Sequence, residues 1–116
     1  MDIDQIKKRL REFAEARDWD QFHSPKNLAS AISVEAAELL EIFQWLTEEE
    51  SKNLDEKNRL NAEQEIADVF LYLLRLSDKL NINLLQVAEQ KIALNELKYP
   101  VELSKGNSMK YTEFKD

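Results

Sequence analysis

The chain has 116 residues, with 16 Lys and Arg against 23 Asp and Glu, for a formal net charge of −7. That length bounds it to a single domain with a modest core, and 43% hydrophobic with 34% charged residues excludes bulk disorder. One Gly, two Pro and no Cys exclude sandwiches, barrels, disulfide frameworks and thiol chemistry, while the acidic balance argues against nucleic acid or an anionic membrane as a partner.

A helical chain is therefore predicted. Ile3, Ile6, Leu10 and Phe13 recur at steps of three and four, which puts them on one face of a first helix ending near Asp18. The stretch from Trp19 to His23 lacks that period. Ser24-Pro25 then reads as an N-cap followed by Pro at the first helical position of a second helix, whose apolar face runs to about Trp45. Thr47-Glu48-Glu49-Glu50 has the form of a capping box for a short extra turn within a polar connector reaching about Asp55. In the third helix Ala62, Ile66, Val69, Leu73, Leu76 and Leu80 mark the stripe, and Phe70, Leu71 and Leu74 widen it, so burial on more than one side is expected, at the centre or at a subunit interface. Asn83 caps a fourth helix carrying Leu84, Val87, Ala88, Ile92 and Leu97, which Pro100 closes. The tail beyond it holds the only Gly, has no helical period and is expected to be extended. No apolar run approaches the length of a membrane span, and Met1-Asp2-Ile3-Asp4 is unlike a signal peptide, so a cytoplasmic protein is expected.

Charged residues interrupt two of these apolar stripes. The second helix carries Glu35 and Glu38, the third Glu65 and Asp68, and each pair is three residues apart and so shares a helix face. Helices joined by a short connector pack as antiparallel neighbours, so residues equidistant from the turn meet. The first pair centres between Ala36 and Ala37, the second between Ile66 and Ala67, and their common midpoint falls between Ser51 and Lys52, inside the connector. The four acids should face each other. Burial and like charge both oppose ionisation there, and a hard divalent cation resolves the conflict, with oxygen-only ligands favouring Mg²⁺ or Mn²⁺. Iron would call for Glu-x-x-His pairs, and the single histidine, His23, lies outside both helices. The alternative is a set of exposed ion pairs with Lys26, Arg59 or Arg75. Lys91, Asn95 and Lys98 share a face of the fourth helix, and Lys105, Lys110 and Tyr111 sit in the tail, all chemically suited to phosphate oxygens. Trp19, Phe22, Trp45 and Tyr72 form either core or a stacking slot for a base, with His23 as a hydrogen-bonding neighbour.

These residues together resemble the MazG-like, all-α nucleoside triphosphate pyrophosphohydrolases, and within them the dCTP pyrophosphatase branch. The resemblance rests on Glu35-Ala36-Ala37-Glu38 and Glu65-Ile66-Ala67-Asp68, on the stretches Arg17 to His23, Glu41 to Trp45 and Asp68 to Leu73, and on Lys91, Asn95, Lys98 to Val101, Ser104 and Lys110 to Glu113. It implies one MazG-like domain over residues 1–116, a four-helix bundle-like core over about 2–98 and an extended tail over about 99–116. It also implies that Glu35, Glu38, Glu65 and Asp68 hold Mg²⁺ against a triphosphate, with Glu35 or Glu38 as the base that activates water. Trp19, His23, Trp45 and Tyr72 would line the base pocket, and Lys91, Asn95, Lys98, Tyr99, Lys110 and Tyr111 would contact phosphate or sugar. A pocket position aligned with Leu10 is polar in some relatives. The implied protein is a homo-oligomer, dimer or tetramer, that hydrolyses dCTP or a 5-modified dCTP to the monophosphate and pyrophosphate in nucleotide house-cleaning. The alternatives are the same chemistry on dUTP or another non-standard triphosphate, and a non-catalytic helical interaction module.

Overall fold

The computed structural model describes residues 1–114, and its elements follow from local chemistry. Helix α1 (Ile3–Ala16) opens on a reciprocal capping box in which Asp2 accepts from the Gln5 N–H and the Gln5 side chain accepts from the Asp2 N–H. It closes in a Schellman turn: the Trp19 N–H reaches the Ala14 carbonyl at 2.8 Å and the Asp18 N–H reaches that of Glu15 at 3.1 Å. Asp18 takes the left-handed conformation this requires, with φ 54°. A single 3₁₀ turn, Asp20–Phe22, leads to α2 (Pro25–Phe43), capped by the Ser24 hydroxyl with Pro25 in the first turn as expected. The predicted short turn is α3 (Glu48–Lys52), with the Thr47–Glu50 capping box fully formed.

Helix α4 (Glu56–Lys79) is the longest, at 24 residues. It too ends in a Schellman turn, with Asn81 at φ 56° and the Ile82 N–H donating to the Ser77 carbonyl at 2.8 Å. Asn83 caps α5 (Leu84–Lys98). The tail departs from the extended path expected for it, since it contains a one-turn helix, α6 (Val101–Ser104), and a 3₁₀ turn, Tyr111–Glu113. The reason is Pro100. It cannot continue α5, but its carbonyl accepts from the Ser104 N–H at 3.0 Å and starts a new turn.

No strand occurs among the described residues, so the chain is all-helical there, and none of these helices is long and apolar enough to cross a membrane. The chain divides into two compact units, the first Met1–Ile82 and the second beginning at Asn83. The expected four-helix arrangement is thus three long helices in the first unit, where α1 and α2 both pack on α4, with α5 in the second. His23, just before α2, meets Arg75 near the end of α4, and Glu35 meets Glu65 further along, so α2 and α4 run antiparallel. The core centres on Leu28 and Leu74, at 1% and 0% exposure. Within the first unit α1 and α2 both pack on α4, while Leu60, Ile66, Phe70 and Leu73 of α4 remain exposed.

Candidate active site

Carboxylate oxygens of Glu35, Glu38 and Glu65 lie within 4.8 Å of one another at the α2–α4 interface. Glu35 and Glu65 are half-buried, and one oxygen of each, Oε2, is buried with no hydrogen-bond partner. Among the described residues none of the four acids forms an ion pair; Arg59 engages Glu63, and Arg75 engages Asp20 and Asp78. The surface ion-pair alternative therefore fails for Arg59 and Arg75. Burial first, then Glu65 and Glu38, pushes the Glu35 carboxyl up to about 7, and Glu65 moves in the same direction, chiefly through burial. Buried oxygens that lack donors, on three acids within reach of a common centre, fit a divalent cation with oxygen ligands.

The shifted carboxyl has a measurable consequence for the metal-free protein. Glu35 departs from an ordinary value of 4.5 when unfolded and rises to about 7 when folded. Below the lower value both states hold the proton; between the two only the folded state does, so the stabilisation is complete at acid pH and is lost as pH rises toward about 7. In EDTA, the melting temperature of the wild type relative to Glu35→Gln is expected to fall across that window. A difference that stays level with pH would mean that Glu35 titrates normally.

Beside the acids lies a cavity of about 660 Å³. Its walls come from α1 (Ile6, Arg9, Leu10 and Phe13, with Met1 ahead of them), from the following turn (Trp19 and His23) and from α4 (Asp68, Leu71, Tyr72 and Arg75). The Schellman turn after α1 is what places Trp19 here, where its ring meets Phe13 edge-on at 5.6 Å and His23 at 6.5 Å. Asp68 joins the two features. It lines the cavity, and its charge is among those that raise Glu35.

The expected site residues thus separate into groups. Trp19, His23, Tyr72 and Asp68 share the cavity, and Glu35, Glu38 and Glu65 form the acid cluster. Trp45 does not line this cavity: α2 ends at Phe43, and Trp45 is 87% exposed in the turn beyond. Leu10 does line it. In the second unit Tyr99 packs edge-on against Tyr111 at 6.1 Å and Phe114 at 5.9 Å, and the Lys98 ammonium sits 4.9 Å from the Tyr111 ring centre. Lys91, Asn95 and Lys110 are exposed.

Sequence reasoning missed Arg75 as part of the cavity. Only 6% exposed, it donates Nε–H to His23 Nδ1 at 3.2 Å and Nη2–H to Asp20 at 2.7 Å. The available signal was position: Asp68, Tyr72 and Arg75 succeed one another at steps of four and three on the stripe that α4 buries.

A family model described as "MazG-like family" matches residues 30–114. The dCTP pyrophosphatase 1 of Mus musculus is 38% identical over 113 residues, covering 96% of this chain and 66% of that protein. The dCTP pyrophosphatase 1 of Homo sapiens is 36% identical over the same shares. The chain thus spans just under two thirds of the length of these curated relatives. Among solved structures, a pyrophosphatase from Archaeoglobus fulgidus DSM 4304 superimposes with a TM-score of 0.79 at 46% identity, covering 84% of this chain and 91% of that one.

Proposed function

The chain belongs to the MazG-like family, and from that premise we propose that it hydrolyses a deoxynucleoside triphosphate, dCTP or a 5-modified dCTP, to the monophosphate and pyrophosphate. The observation that carries this reading is the adjacency of the unpaired acid cluster to an aromatic-walled cavity, with Asp68 on the cavity wall and its charge acting on Glu35. Relatives named dCTP pyrophosphatase 1 support the choice of substrate. The same chemistry on dUTP or another non-standard triphosphate is the alternative substrate reading.

In this reading Glu35, Glu38, Glu65 and Asp68 hold Mg²⁺, with Mn²⁺ as a substitute. Bound there, the cation supplies Lewis acidity that offsets charge on the triphosphate oxygens. Glu35 or Glu38 takes the proton of the attacking water. Trp19 offers a ring face and Tyr72 an amphipathic wall to the base, and the largely apolar lining keeps water from it. Lys91, Asn95, Lys98, Tyr99, Lys110 and Tyr111 carry groups suited to phosphate or sugar, and a single MazG-like domain over residues 1–116 is part of the proposal. A homo-oligomer, dimer or tetramer, is part of the proposal. It is supported by the uncovered apolar side chains of α4 and by Trp45, which a second copy would bury.

Chromatography of products tests the chemistry. With Mg²⁺ and dCTP, dCMP and pyrophosphate are expected, and EDTA should abolish both. Release of the diphosphate and inorganic phosphate would reject the bond assigned here, and no turnover across a panel of natural and 5-substituted triphosphates would leave the helical interaction module as the better reading.

A further inference from the structure

We propose that Arg75 is a positioning residue: by donating Nε–H to Nδ1 of His23, it fixes the Nε2–H tautomer of that imidazole and so presents a hydrogen-bond donor to an acceptor on the substrate base. The inference rests on reading the cavity as the base site. An arginine can only donate, so the nitrogen 3.2 Å from its Nε must carry a lone pair, and a neutral ring then carries its proton on Nε2. Nδ1 is occupied by Arg75, and His23 lines the cavity, so Nε2 is the polar atom it has to offer there.

The guanidinium is itself anchored. Asp20 accepts from its Nη2 at 2.7 Å and also takes the Lys79 ammonium, while Asp78 faces its Nη1 at 3.8 Å and is clamped by two bonds of 2.6 Å from Arg11. The Trp19 ring meets the imidazole in a T-shaped arrangement, with ring centroids 6.5 Å apart. Burial, then the charges of Arg75 and Lys79, lower the His23 pKa against the opposing pull of Asp20, which keeps the ring neutral. Arg9 and Asp68 are the other charged groups on the cavity wall. A donor held this way suits a ring carbonyl or an unprotonated ring nitrogen of a pyrimidine. Bases that offer neither would leave a desolvated N–H without a partner, which is unfavourable.

Because His23 is the only histidine, long-range ¹H–¹⁵N NMR of the labelled protein reads its tautomer without ambiguity. The wild type, without nucleotide and at neutral pH, is expected to show a protonated Nε2 and a bare Nδ1; a protonated Nδ1 would overturn the inference, and this arm needs no variant to fold. For function, binding of a non-hydrolysable α,β-imido analogue of dCTP with Mg²⁺ is measured by calorimetry. Arg75→Met should weaken it about tenfold in the wild-type background, about one hydrogen bond to a fixed donor, and by less than about twofold in a His23→Phe background. Equal losses in both backgrounds would make Arg75 merely structural. The expected tautomer with no nucleotide binding by the wild type would remove the base from the cavity and the donor's target with it, whereas nucleotide binding with the wrong tautomer would overturn this inference alone.

Discussion

Glu38→Gln is expected to cut Mg²⁺-dependent pyrophosphate release by at least about a hundredfold, the order of loss that follows disturbance of a metal's ligands. The amide keeps the shape of the side chain and removes one of the charges gathered where Glu35, Glu38 and Glu65 place their oxygens within 4.8 Å. The same change relieves like-charge repulsion, which helps to raise Glu35. Metal-free Glu38→Gln should therefore melt no lower than metal-free wild type. Mg²⁺ together with a non-hydrolysable triphosphate should raise the melting temperature of the wild type strongly and that of the variant weakly, since only a ligand that binds the native state stabilises it. Initial rates and paired melts, with and without Mg²⁺, check both halves. Full turnover in the variant would move the catalytic centre away from this cluster. A lower metal-free melting temperature would instead mark Glu38 as structural.

Leu74→Ala is expected to cost about 2–5 kcal/mol, because Leu74 is wholly buried between the packed helices and its truncation leaves a cavity. For a unit of this size that corresponds to a fall in melting temperature of roughly 10 °C or more. Leu73 is the internal control. It is the preceding residue on α4 but remains 39% exposed in the single chain, so Leu73→Ala should cost clearly less if the chain is monomeric. In the oligomer proposed above, a second copy would cover that face, and the Leu73→Ala penalty would then grow with protein concentration. Thermal melts of both variants over a concentration series separate these cases. A Leu74→Ala protein that melts like the wild type would contradict the packing of α4 on α1 and α2.

Much of this architecture was legible along the chain. The Ser24 cap with Pro25, the Thr47–Glu50 box and the Asn83 cap are all present where composition placed them. So is the meeting of Glu35 and Glu38 with Glu65, which follows from a spacing of three on each helix and a connector centred between them. The tail was less legible, because the turns after Pro100 are too short to carry an apolar period. The exposure of α4 was not legible either: an apolar stripe shows that a face is to be covered and not whether the cover lies in the same chain.

What the sequence determined by itself is the set of features whose partners lie within about one helical turn: caps, helix faces and paired acids. Tertiary structure alone decided the rest. Arg75 and His23 are 52 positions apart, and their bond exists only because α2 and α4 run antiparallel and the Schellman turn after α1 returns the chain to them. Burial, which raises Glu35, holds His23 neutral and strips donors from two carboxylate oxygens, is likewise a property of packed neighbours. Chain order fixes which residues share a helix face. The chemistry those residues can perform depends on what lies opposite them, and that is set by packing across the interface.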